Sequence, residues 1–301
     1  MLVLGLIVAH FIADFYLQTD EMVVHKQKNL RKHTIHHLVI MLLTFTVTFL
    51  FSSTPSYSWS GVLFQIILPS CLIALLHYLI DSVKIRLEGM LVPKVKANVE
   101  GLYKLVIFMI DQLLHIAILL VACQLFFQIN SMQVIVEILK VLQIVKGEQT
   151  VLSPVESVLF MVMMFIIVTT VSGHMIRILI GVMPNHHTNL EGKYLFKAKV
   201  DELKMEEFSK HLDISEEFSY TIIKQAQSSR GTIIGYIERL LVVFLTIYGA
   251  YPAIGFIVTA KSFARLKQLD DREWAEYFIL GTLTSMFMGL LCGIVIRNVL
   301  G

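Results

Sequence analysis

The chain has 301 residues, of which 56% are apolar and only 16% charged, and its mean hydropathy is +0.72. Soluble domains are about 45–50% apolar and about 25% charged, so the balance excludes an ordinary soluble domain and points to an all-α, polytopic integral membrane protein. A net charge of +2 gives no reason to expect nucleic acid, and Cys71, Cys123 and Cys292 lie in apolar runs without ligand-type spacing, which argues against disulfides and thiolate zinc sites.

Apolar runs near 2–17, 36–53, 61–80, 104–127, 154–177, 232–249, 251–265 and 275–296 predict about seven or eight transmembrane helices. The first and seventh are short for a hydrocarbon layer about 30 Å thick. The first lacks a basic leader and a small-residue cleavage site, so it does not read as a signal peptide. Residues 131–148 are apolar with sparse charge and predict an interfacial helix. Residues 185–230 are polar and carry a helical pattern, which makes them a candidate docking segment for a cytoplasmic partner. The expected organisation is a four-helix membrane unit over 1–130, an interfacial amphipathic helix at 131–150, and a second membrane unit over 151–301 that carries the insert 185–230.

Orientation follows from basic residues in short loops. Lys26, Lys28, Arg31 and Lys32 follow the first run, Lys84, Arg86, Lys94 and Lys96 the third, and Arg265, Lys267 and Arg272 the seventh, whereas "STPSYSWS" between the second and third has no charge. The basic loops are expected in the cytoplasm, and an even number of spans puts both termini outside.

Polar residues inside these runs repeat one spacing. His10 and Asp14 stand at i, i+4, with Gln18 continuing the stripe. His77 and Asp81 repeat the pair, with Lys84 one turn on, and Asp111 and His115 repeat it in reverse. His33, His36 and His37 open the second run. With the topology above, all four helices carry His or Asp to the cytoplasmic half of the bilayer. An Asp at the centre of a span costs roughly 2.5–3.5 kcal/mol on insertion scales, and a divalent cation would compensate it. Imidazole and carboxylate together suit zinc first, with manganese or iron as alternatives. The candidate ligands are His10, Asp14, His36, His37, His77, Asp81, Asp111 and His115. They exceed one tetrahedral set, and the surplus fits either a two-metal centre or carboxylate–histidine pairs behind the ligands. Asp14, His77, Asp81 and Lys84 are the catalytic candidates. The alternative reading of each pair is a helix-packing hydrogen bond, His25 and His33 read as solvated loop residues, and Lys84 also fits a snorkelling lysine.

The second half brings Arg239, Lys261 and Arg265 toward the same side, a candidate anion or substrate site for a phosphate or carboxylate. The competing reading is intramembrane ion pairing, of Glu238 with Lys261 or Arg239 with Glu276. Gly231, Gly235, Gly249, Gly255 and Gly281 are expected to let helices approach closely. No G-x-x-x-x-G-K-[ST], G-x-S-x-G or H-E-x-x-H occurs.

The segments "HFIADFYLQ", "HYLIDSVK" and "DQLLH" together resemble an uncharacterised family of bacterial and prophage-encoded integral-membrane proteins, a domain of unknown function. Its pattern is H-x-x-[AG]-D-F-x-L-Q, H-x-x-x-D-x-x-K and D-Q-x-x-H. The matching positions are His10, Asp14, Phe15 and Gln18; His77, Asp81 and Lys84; and Asp111, Gln112 and His115. The resemblance covers about residues 1–125, and longer members look similar over "RGTIIGYIER", "AIGFIVTAKSFAR" and "EYFILGTL". It implies a bacterial cytoplasmic membrane location and no reaction.

Three functions compete. A metal-dependent hydrolase acting on a lipid or isoprenoid phosphate would use the His/Asp set to activate water. A metal-ion or proton transporter would need polar groups along a path to both faces. A non-catalytic membrane partner would act through 185–230.

Overall fold

The computed structural model describes residues 1–19, 22–23, 25–51, 58–96, 99–147, 151–181 and 229–300. All elements among them are helical: α1 Leu2–Phe15, α2 Lys26–Leu50, α3 Trp59–Lys94, α4 Glu100–Phe127, α5 Ser131–Val141, α6 Pro154–Ile180, α7 Ser229–Ile247, α8 Tyr251–Phe263 and α9 Arg272–Leu300. The docking segment expected at 185–230 lies outside the described residues, apart from its end at the start of α7. Met1–Met183 and Arg230–Gly301 form one compact unit. The boundary expected near 150 falls inside it, because α1 packs along the Pro154–Ile166 part of α6.

Among the described residues, five helices, α2, α3, α4, α6 and α9, are long and apolar enough to cross a membrane, against the seven or eight runs expected. Charge and length explain the difference. α7 has 19 residues and includes Arg230, Glu238 and Arg239, and α8 has only 13. α1 has 14, a rise of about 21 Å at 1.5 Å per residue. Half of its residues are nonetheless buried, because longer helices surround it: α2 and α4 on the bundle side and α6 behind.

α1 to α4 close a ring in which each helix packs on the next and α4 returns to α1. The chain runs up and down through this bundle. Leu6, Met41, Phe45, Ile73 and Leu119 fill one end of the interior, where Phe45 and Phe127 stack at 5.5 Å. The C-terminal half of α1, the N-terminal half of α2, the later turns of α3 and the middle of α4 meet toward the other end, and there the interior is polar.

Local sequence sets the remaining helix ends. Ser153 and Glu156 form a reciprocal capping box with Pro154 at the first helical position, which fixes the start of α6. Asn130 accepts from Met132 and Gln133 to start α5. α6 widens into a π-helical turn at Ile167–Val171. α7 and α8 form a hairpin around Gly249, whose φ of 69° favours glycine. α9 meets α7 through "GLLCG". A Cβ on Gly293 would lie 2.6 Å from Thr246 Cβ, and one on Gly289 would lie 2.9 Å from Val242 Cγ1. Of the glycines expected to pack, Gly231, Gly249 and Gly255 face open space, while Gly281 meets Ile180 and Gly235 meets Arg239.

Candidate metal centre

The helical period of 3.6 places the site residues on the buried stripes of their helices. On α2 the buried stripe runs Leu30, His33, His37, Met41, Phe45, Phe49. The helix starts at Lys26, well before the apolar run, so the basic stretch is helical and His33 falls one turn before His37 on the inward face. His33 is therefore 2% exposed, which corrects the expectation that it is a solvated loop residue. His25, just before the helix, is exposed as expected. His36 falls off the stripe, is only partly buried and belongs to none of the clusters described below. On α3 the stripe carries His77 and Asp81, and on α4 it carries Asp111, Gln112 and His115. α1 supplies His10 and Asp14 and ends at Phe15, so Gln18 lies beyond the helical stripe.

Asp14 is the hub. Its Oδ1 accepts from His37 Nε2 at 2.8 Å and lies 3.3 Å from His33 Nε2. Its Oδ2 accepts from the Gln112 amide at 3.0 Å and lies 3.6 Å from His10 Nε2. Two lysines approach from the rim. Lys26 Nζ donates to Asp81 Oδ1 at 2.8 Å, and Lys84 Nζ donates to Asp111 Oδ2 at 2.7 Å. The imidazoles crowd together: His37 and His77 stack at 3.7 Å, and His77 lies 4.2 Å from His115 and 5.1 Å from His33.

Much of this polar surface lacks hydrogen bonds. Buried atoms without a partner include His10 Nε2, His37 Nδ1, both ring nitrogens of His77, Asp81 Oδ2, Asp111 Oδ1 and His115 Nε2. Buried polar groups are normally satisfied, because each unpaired one costs about 1–3 kcal/mol. The unpaired atoms are of the type that binds metal. His115 Nδ1 donates to the Asp111 carbonyl oxygen at 2.8 Å, which fixes its tautomer and leaves the Nε2 lone pair facing the cluster. Metal-binding histidines are held the same way. Three sets offer ligand atoms lying within 4.8 Å of one another: His10, Asp14, His37 and His77; His33, His77 and Asp81; and Asp81, Asp111 and His115.

Lys26, His33 and Gln112 complete the site without having been singled out as site residues. A run that reads as a cytoplasmic loop hides the first two. Extending the helical period of the second apolar run back by three turns would have found them.

The basic residues of the second half have partners of their own. Arg239 is buried and donates to the carbonyls of Val168 at 2.6 Å and Thr169 at 2.9 Å, and to Ser285 Oγ at 3.4 Å. The π-helical turn of α6 loosens the ordinary i→i−4 ladder there, so the guanidinium serves helix carbonyls rather than an anion. Lys261 pairs with Glu238 at 2.5 Å, the ion-pair alternative. Arg239 does not pair with Glu276, which holds Arg272 at 3.0 Å. Arg265 lies over Trp274 and Phe278, 5.6 Å and 5.9 Å from their centroids.

Fold and site together define an all-helical membrane protein whose N-terminal four-helix bundle encloses a His/Asp cluster. Residues 2–145, which take in the whole cluster, match the family model described as protein of unknown function DUF3307. No curated protein and no solved structure matches the chain.

Proposed function

We propose that this protein is an intramembrane metal-dependent hydrolase whose substrate is a lipid or isoprenoid-phosphate-like molecule at the cytoplasmic leaflet of a bacterial membrane. The observation that carries the reading is the set of unpaired, buried ligand atoms on His10, His37, His77, Asp81, Asp111 and His115. Burying them without an ion is costly in an apolar bundle. A divalent ion, zinc first, on His10, Asp14, His37 and His77 would satisfy those on the first three histidines. A water bound to such an ion becomes a nucleophile near neutral pH. Asp81, whose Oδ2 lies 3.5 Å from His77 Nε2, stands beside this set, and Lys26 and Lys84 supply positive charge at the rim for a phosphate. In the finer topology, α1, shielded by its neighbours, and the α7–α8 hairpin complete seven or eight passes, and residues 185–230 serve a cytoplasmic partner.

A transporter is disfavoured by the apolar layer of Leu6, Met41, Phe45, Ile73 and Leu119 on the far side of the cluster. The test is purification of the full chain, metal analysis, and measurement of phosphate release from vesicles containing a polyprenyl phosphate. We expect stoichiometric metal, activity abolished by chelation and restored by zinc or manganese, and a loss of about 10–100-fold in Asp81→Asn, the scale of a carboxylate that supports a metal site. Protein that retains no metal overturns the reading. Metal flux into proteoliposomes without phosphate release would favour the transporter, and dependence on 185–230 alone would favour a scaffold.

A further inference from the structure

The clusters overlap in an order that bears on how many ions the bundle holds. The first set, His10, Asp14, His37 and His77, shares no residue with the third, Asp81, Asp111 and His115. The middle set, His33, His77 and Asp81, takes one member from each. Two complete ligand sets are therefore present side by side, and His33 lies between them, its Nε2 3.3 Å from Asp14 Oδ1 and 3.7 Å from Asp81 Oδ2.

The third set has its own orphaned atoms. Asp81, Asp111 and His115 are 1%, 5% and 3% exposed. Each carboxylate gives one oxygen to a lysine, Asp81 Oδ1 to Lys26 and Asp111 Oδ2 to Lys84, and the other oxygen of each has no hydrogen-bond partner. His115 is tied to a backbone carbonyl through Nδ1, and its Nε2 is likewise unpartnered. If the lysines answered the whole demand of these carboxylates, both oxygens would be satisfied. One half of each is left for a further cation.

We propose that the bundle holds a second divalent metal ion on Asp81, Asp111 and His115, next to the first, with Lys26 and Lys84 fixing the carboxylates from behind. This rests on the metal reading of the same cluster. Formal charge then indicates the ligand class. Three carboxylates facing two ammonium groups leave one negative charge in excess when the imidazoles are uncharged. Two divalent ions turn that into a strongly positive pocket, which calls for a bridging hydroxide and an anionic oxygen ligand such as a phosphoryl group. Paired ions about 3.5–4 Å apart clamp the attacking and leaving oxygens in phosphoryl chemistry.

The experiment is zinc stoichiometry on the full chain in detergent, stripped with chelator and equilibrated with buffered zinc. Two ions per chain in the parent protein, one in Asp111→Asn and one in His10→Ala are expected. Asp111→Asn keeps side-chain size; should it not accumulate as folded protein, His115→Gln replaces it. One ion in the parent that persists in Asp111→Asn overturns the second site and leaves the single-metal reading standing. Two ions that both persist in Asp111→Asn place the second one elsewhere and also overturn it. No bound zinc in the parent overturns both readings.

Discussion

Asp14 touches more of the cluster than any other carboxylate, and what holds it in place should matter nearly as much as the ligands. Gln112 donates to Asp14 Oδ2 at 3.0 Å from a helix that also carries Asp111 and His115. Gln112→Leu removes that donor without removing a ligand. Loss of such a supporting bond weakens metal affinity by about 10–100-fold, so zinc should still bind Gln112→Leu at saturation but with a correspondingly raised dissociation constant in competition with a chelating dye. An unchanged constant would show that Gln112 only fills space. Arg239 gives the contrasting case. Its guanidinium satisfies two helix carbonyls, so Arg239→Ala leaves both unpaired and should cost at least about 2 kcal/mol, read as a lower unfolding temperature with metal stoichiometry unchanged. At this scale the sequence announced its paired residues well: His10 with Asp14, His77 with Asp81 and Asp111 with His115 all lie on buried stripes. It hid residues whose neighbours are basic. Lys26 and His33 sit among solvated lysines in the linear order, and only the helix that starts at Lys26 turns them inward.

Helices are shaped here by small residues and by breaks in the ladder. α9 approaches α7 at Gly289 and Gly293, four residues apart, the small-xxx-small spacing that lets membrane helices touch. The facing residues, Val242 and Thr246, are also four apart, so one ridge seats in one groove. Gly293→Val would drive Cβ into Thr246 and force the helices apart. We expect this variant to lose stability by about 1–3 kcal/mol, the usual cost of overpacking, whereas Gly255→Ala, facing open space, should be neutral in the same thermal unfolding measurement. Helix positions were legible from apolar runs, since period and length alone mark them. Starts were not: α2 begins ten residues before its apolar run. The π-helical turn in α6 was equally hidden. Its sequence, "IVTTV", carries no glycine or proline, and it depends on Arg239, which is distant in the chain, to meet the exposed carbonyls.

For the whole molecule, the cluster is a stability problem as much as a site. Five histidines and three aspartates converge inside a bundle otherwise lined by Leu, Met, Phe and Ile. Their mutual hydrogen bonds leave many atoms unpaired. A ligand that binds only the folded state adds RT ln(1 + [L]/Kd), about 2.7 kcal/mol at a hundredfold excess over Kd. Stripping metal should therefore lower the unfolding temperature, and zinc should restore it in a concentration-dependent way. The size of that shift separates site from scaffold. Asp14→Asn keeps the shape of the hub and removes its charge, so its unfolding temperature should respond little to zinc. Arg239→Ala should start lower and still gain the full shift, because its defect lies in helix carbonyls that the ion does not touch. Equal shifts in Asp14→Asn and the parent protein would mean that zinc stabilises the chain from somewhere other than this bundle.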